Sequence, residues 1–114
     1  MGTGPAPLET SSTGLDVHLA AMLAYLFGPV TGVLFLLKER DSRFVRFHAM
    51  QSTLVFLGLF VAAVLLNAIP LLGQVLSGLL VPLGILLWVL LMFKAFQGEK
   101  YKLPFVGDIA DQRT

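Results

Sequence analysis

Charged residues divide the chain into long apolar runs. From Val17 to Leu37 no residue is charged. At 1.5 Å per residue this run covers about 30 Å as a helix, the thickness of a bilayer's hydrocarbon core. Thr13 and Asp16 form a Thr-x-x-Asp capping pattern in front of it, which marks a helix start. The charged turn Lys38-Glu39-Arg40-Asp41-Ser42-Arg43 closes the run, and Asp41 or Ser42 can cap the next helix. A second uncharged stretch, Phe47 to Phe93, is too long for one span, and Asn67, Pro70, Gly73 and Gln74 break it with turn chemistry. The pattern predicts helices over about Arg43–Ile69 and about Val75–Phe96. The expected fold is all-α: an integral membrane bundle of three transmembrane helices with a short cytoplasmic loop and tail. Residues 1–15 read as a flexible N-terminal tail, 16–98 as the three-helix transmembrane domain, and 99–114 as a cytoplasmic interfacial tail.

Composition agrees with a lipid-facing surface. Of 114 residues 56% are hydrophobic and 13% charged, against about 45–50% and about 25% in an ordinary soluble domain. A chain this short has too little interior to hide that much apolar surface from water. The net charge of +1 gives no argument for nucleic acid, and the absence of cysteine excludes disulfides, thiolate metal sites and cysteine nucleophiles. The first fifteen residues carry no Lys or Arg, so they do not read as a secretory signal, and the first apolar run reads as a retained helix.

The eight basic residues suggest an orientation. Lys38, Arg40, Arg43 and Arg46 lie between the first two predicted helices, and Lys94, Lys100, Lys102 and Arg113 at or beyond the end of the third. All then fall on one side of three spans. The positive-inside rule makes that side cytoplasmic and the N-terminus external, for a multi-pass protein of the cell (inner) membrane. His18 is placed at the opposite face of the membrane from the basic loop.

Polar and small residues supply the candidate sites. Ala20, Ala24, Gly28 and Gly32 recur every fourth position, a helix-packing stripe that serves either the bundle or a contact with a second subunit. Pro29 removes the hydrogen bond to the Tyr25 carbonyl and predicts a kink, and Thr31 can bond back to the Phe27 carbonyl. The Tyr25 hydroxyl and the freed carbonyl, near mid-membrane, should face protein or water. His48, Gln51 and Ser52 share one helix face and should point into the bundle, toward the tail after Gly98, as a polar recognition or packing site. The apolar tail residues Tyr101, Leu103, Phe105 and Ile109 are expected to fold back near the start of the second helix. Arg43 and Arg46, beside Phe44 and Phe47, suit anionic lipid headgroups. Catalysis is not expected, because Ser52 lies four residues from His48 on one helix and no carboxylate lies nearby within the span to orient the imidazole. No cofactor or metal site is expected, since one histidine lacks a clear second ligand.

Three stretches carry a resemblance: Ala24-Tyr25-Leu26-Phe27-Gly28-Pro29, Arg43-Phe44-Val45-Arg46-Phe47-His48-Ala49-Met50-Gln51-Ser52, and Gly98-Glu99-Lys100-Tyr101-Lys102-Leu103-Pro104-Phe105-Val106-Gly107-Asp108-Ile109-Ala110. Over about residues 16–111 the chain resembles a family of small prokaryotic membrane proteins. These are grouped with the twenty-kilodalton, four-helix component of the chloroplast inner-envelope import (Tic) translocon. The resemblance implies a non-enzymatic membrane subunit assisting polypeptide translocation or insertion. The alternative is a small transporter or channel-forming oligomer. Expected partners are the lipid bilayer and a homo-oligomer or other membrane subunits, with no nucleic acid.

Overall fold

The computed structural model describes residues 11–113. They form five helices: α1 (Val17–Leu26), α2 (Pro29–Lys38), α3 (Arg43–Leu66), α4 (Leu72–Phe96) and α5 (Val106–Arg113). No strand occurs among the described residues. The expected tail over residues 1–15 falls mostly outside the described residues.

The first apolar run is not one helix. It breaks at Phe27-Gly28, where Gly28 adopts φ 59° and ψ −128°, a region open to glycine and closed to most residues with a β-carbon. Pro29 does not kink a continuing helix. It begins α2, where its missing N–H is no loss because the first helical amides have no intrahelical acceptor. The chain then reverses. Ser12 Oγ donates to the Lys38 carbonyl at 3.1 Å and accepts from the Arg40 amide at 2.8 Å, so residue 12 lies beside residue 38. α1 and α2 are the limbs of a re-entrant hairpin, each about 15 Å long, half the thickness of a hydrocarbon core. The tip at Gly28 rests against Phe56, near the midpoint of α3.

Glu39 locks the open end of the hairpin. Its buried carboxylate accepts from the Ser11 hydroxyl, from the Ser12 amide and hydroxyl at 2.7 and 2.9 Å, and from the Asp41 and Ser42 amides at 3.1 Å each. Burial pushes its pKa up, but the hydrogen bonds from Ser11, Ser12 and Ser42 together outweigh it and hold the carboxyl below the usual range. Asp16, not a Thr13–Asp16 box, caps α1 by accepting from the His18 amide at 3.1 Å. Ser42 caps α3 by accepting from the Val45 amide at 3.2 Å.

α3 and α4, with 24 and 25 residues, are the two described helices long and apolar enough to cross a membrane. The expected three spans are not found: among the described residues two helices have crossing length, and the first apolar run is a hairpin of two ten-residue helices. The turn between them needs Gly73, where an added β-carbon would sit 1.8 Å from the Leu66 carbonyl oxygen. Helix α3 stops at Leu66 because Asn67 caps it, and α4 starts at Leu72 and takes Gln74 into its first turn. Of the residues in α4 only Gly73, Leu91 and Ala95 are buried, and Leu72, Val75, Leu79 and Leu86 are each at least 60% exposed. So much exposed apolar surface suits lipid rather than water.

Two further expectations are corrected by the reversal at Gly28. His18 lies beside Phe44, ring centroids 6.4 Å apart, at the basic end of the bundle and not at the opposite face. Residues 11–16 likewise join the end that carries Lys38, Arg40, Arg43 and the C-terminal segment, so the two termini of the described chain do not lie on opposite sides. The small residues also serve two surfaces rather than one stripe. Ala20 and Ala24 are fully buried on α1. Gly32 faces α3 from α2, where a β-carbon would come within 2.6 Å of Thr53 Oγ1 and 2.9 Å of the Ala49 carbonyl.

The cysteine-free chain allows a direct topology test. In sealed vesicles, single cysteines replacing Leu15 and Arg113 are expected to react with an impermeant maleimide from the same side, and one replacing Ala68 from the other. Labelling of Leu15→Cys together with Ala68→Cys would contradict the hairpin.

Candidate functional site: a buried polar cluster and an apolar groove

Tyr25 from α1 and His48 and Gln51 from α3 meet in the bundle interior, all fully buried. The Tyr25 hydroxyl is 2.7 Å from His48 Nδ1, and His48 Nε2 is 3.1 Å from the Glu99 carbonyl oxygen. A carbonyl can only accept, so the network assigns the proton to Nε2 and leaves Nδ1 to accept from Tyr25. The Tyr25 oxygen then accepts from Gln51 Nε2 at 3.0 Å. Gln51 Nε2 also donates to the Tyr101 carbonyl at 2.8 Å, and Gln51 Oε1 accepts from the Leu103 amide at 3.0 Å. One tautomer satisfies every group. Phe44, Phe47 and Tyr25 enclose the imidazole edge-on, with centroids 4.6, 5.1 and 5.4 Å away.

The partners of this cluster are backbone groups of the C-terminal segment, which folds back onto the start of α3. Gly98, at φ 81°, turns the chain off α4. Lys94 lies 3.2 Å from the Glu99 carboxylate. Lys100 and Lys102 reach Asp111 of α5 at 2.6 and 3.0 Å, and the bonds from Lys100 and then Lys102 lower the Asp111 carboxyl to about 2. Gln51 therefore reads the extended stretch 101–103 as a neighbouring strand would, one carbonyl and one amide.

The other sequence candidates sit apart from this cluster. Ser52 lies one turn deeper and donates to the Gly28 carbonyl at 3.0 Å, at the hairpin tip. Arg46 is turned inward: its Nη1 donates to the Leu36 and Glu39 carbonyls at 3.2 and 2.9 Å, closing the C-terminus of α2. Arg43 is exposed, while Phe44 and Phe47 are buried, so this basic and aromatic stretch builds the bundle more than it faces headgroups.

Sequence reasoning missed Trp88. Its indole N–H donates to the Tyr25 and Leu26 carbonyls at 2.8 and 3.1 Å, supplying the Leu26 carbonyl that the break in the helix frees and adding to the Tyr25 carbonyl, which also accepts from the Gly28 amide at 3.1 Å. Thr31 also serves the tip, accepting from the Phe27 amide and donating to the Ala24 carbonyl, each at 3.1 Å. The available signal was that a tryptophan, the chain's only one, placed in an apolar helix needs an acceptor for its N–H.

Above the tip the third wall of the bundle is missing. The outer halves of α3 and α4 leave an open apolar groove of about 430 Å³, floored by Gly28, Pro29 and Trp88 and walled by residues that include Phe60, Ala63, Val81 and Gly84. No ionisable side chain lines it. Among the described residues no three His, Cys, Asp or Glu side chains gather as a metal site. Ser52, bonded to a carbonyl, is not positioned beside a base.

These features define an all-helical membrane protein with a re-entrant hairpin, a tail clamp and a lateral apolar groove. Residues 10–110 match the family described as the magnetosome magnetite crystal formation protein family, and the chain belongs to it. It is 49% identical over 102 residues to a UPF0132 membrane protein of Methanocaldococcus jannaschii, covering 90% of this chain and 92% of that one. It is 46% identical over 96 residues to a UPF0132 membrane protein of Archaeoglobus fulgidus, covering 84% and 93%. No solved structure is significantly similar to the chain. The small prokaryotic membrane-protein family expected from the three motifs is thus established.

Gln51→Leu removes three hydrogen bonds and strands the Tyr101 carbonyl and the Leu103 amide, at a cost of roughly 1–3 kcal/mol. Trypsin cleavage after Lys100 and Lys102 is expected to accelerate in this variant in mild detergent, while cleavage at the exposed Lys38, Arg40 and Arg43 keeps its wild-type rate. Unchanged cleavage kinetics would show that Gln51 does not hold the tail.

Proposed function

We propose that the protein is a non-enzymatic membrane subunit that receives an apolar helix of another polypeptide in its lateral groove and so assists insertion into the bilayer. The observation that carries this reading is the half-depth hairpin, which supplies a third wall along one half of α3 and α4 and leaves it out along the other. An incoming helix fits that gap. Ala63 and Gly84 let a backbone approach closely, the condition under which helices associate in lipid. The resemblance to the chloroplast import component points the same way, since the four apolar helices α1–α4 correspond in number to its four. The basic end, with the tail and the hairpin's open end, faces the cytoplasm in this reading. A transporter or channel-forming oligomer would draw on an ionisable residue along a pathway, and the groove offers none. The mineral in the family's descriptive name likewise enters no step of this reading.

Reconstituted liposomes test it. A single-span polypeptide carrying a photoreactive group in its apolar segment is expected to cross-link to Phe60 and Val81 of the protein. Its inserted yield should rise above that of empty liposomes and fall back in an Ala63→Trp/Gly84→Trp variant, whose indoles fill the groove. Equal yield with and without the protein, and cross-links confined to lipid, would contradict the reading.

A further inference from the structure

A second cavity, of about 860 Å³, lies at the basic end between the hairpin's last turn and residues 12–13. Its lining is two-part. Leu34, Phe35 and Leu37 of α2 form an apolar side, and Leu34 and Leu37 are 47% and 71% exposed. Lys38 and Arg40 form the rim, both exposed and, among the described residues, without a side-chain ion pair. The hydroxyls that also line it are already used. Ser12 Oγ bonds the Lys38 carbonyl, Glu39 and the Arg40 amide, and Thr13 Oγ1 lies 2.6 Å from Ser11 Oγ.

The charge of this rim follows from how the hairpin closes. Glu39, the acid between the two cations, is turned inward and spent on Ser11, Ser12 and backbone amides. Lys38 and Arg40 are thereby left facing outward, while Asp41 is not part of the lining. Four other cations at this end are engaged, Arg46 with carbonyls, Lys94 with Glu99, and Lys100 and Lys102 with Asp111, while Arg43 and Arg113 are exposed outside the pocket lining. The pocket also lies at a particular depth. Leu34 to Lys38 is the last turn of a limb that ends level with the start of α3, so the apolar side meets acyl chain where the cations meet headgroups.

We propose that this pocket binds an anionic phospholipid, its phosphate between Lys38 and Arg40 and its first acyl segment against Leu34 and Leu37. The hydroxyls being spent, selectivity rests on the two cations, and the lipid's charge rather than its headgroup sugar or alcohol is what is read. The bound lipid covers the surface that α2 shows to the bilayer and braces the open end of the hairpin.

The test is the relative association of spin-labelled phosphatidylglycerol and phosphatidylcholine with the full chain in phosphatidylcholine membranes. Each basic residue near a headgroup contributes roughly fivefold. Lys38→Gln/Arg40→Gln is therefore expected to cut the phosphatidylglycerol preference by up to about thirtyfold. Lys38→Arg/Arg40→Lys should retain the preference, and Arg43→Gln/Arg113→Gln, with the same loss of charge on exposed residues, should leave most of it. Equal losses in the two glutamine variants would reduce the effect to general surface charge and overturn the proposal. A preference that arises only after deletion of residues 1–10 would assign the pocket to the chain's own N-terminal segment and overturn it as well.

Discussion

A helix cannot be broken inside lipid unless the freed backbone groups find partners, because each orphan costs several kcal/mol there. That constraint organises this protein. The break at Phe27-Gly28 frees the carbonyls of Ala24 and Leu26 and the amide of Phe27, while the Tyr25 and Gly28 carbonyls keep one backbone bond each, from the Gly28 and Gly32 amides. Thr31 takes the Ala24 carbonyl and the Phe27 amide, Trp88 takes the Leu26 carbonyl and adds a second bond to Tyr25, and Ser52 adds a second bond to Gly28. Three helices thus contribute one side chain each to a single turn. The hairpin tip is fixed to α3 and α4 by hydrogen bonds as much as by packing, which sets the depth at which the bundle stops having three walls.

From the tip the rest follows in both directions. Toward the basic end, the two limbs return together, so Glu39 can close them against Ser11 and Ser12, and Tyr25 is delivered to His48 and Gln51. The tail then completes that cluster with backbone groups of Glu99, Tyr101 and Leu103. A site made of two side chains from one helix, one from a hairpin and three backbone groups from a tail joins the hairpin, α3 and the C-terminal segment at one point. Away from the basic end, the same tip floors the groove. The polar cluster and the groove are therefore separate, one a lock and the other an open apolar surface, with the hairpin tip lying between them.

Much of this was legible in the sequence. A cap at Asp41 or Ser42, the turn around Gly73, the end of α4 at Phe96 and the inward face carrying His48 and Gln51 all follow from spacing and residue chemistry, and the structure selects Ser42 as the cap. The excess of apolar residues in the tail gave its return to the start of α3. The re-entrant hairpin was not legible from hydropathy, because two limbs of ten residues and their turn have the same length and composition as one span. Charge could not correct this. Residues 11–16 contain no Lys or Arg, so the positive-inside rule says nothing about which side they occupy. The informative signal was Gly28-Pro29 read as a pair: glycine for the left-handed turn and proline for the first position of a new helix, rather than proline alone as a kink. The partners of Trp88 and the bonds of Glu39 to Ser11 and Ser12 could not be assigned from the sequence, since they lie more than twenty-five positions away.

The central claim, that the first apolar run doubles back at Gly28, is tested most directly by one distance. Spin labels at Leu15→Cys and Leu37→Cys, both exposed positions flanking the hairpin, report it by pulsed electron paramagnetic resonance in bilayers. The hairpin predicts a short separation, as the hydrogen bonds between Ser12 and residues 38–40 require. A separation of about 33 Å, the rise of a continuous helix between the two positions, would contradict it.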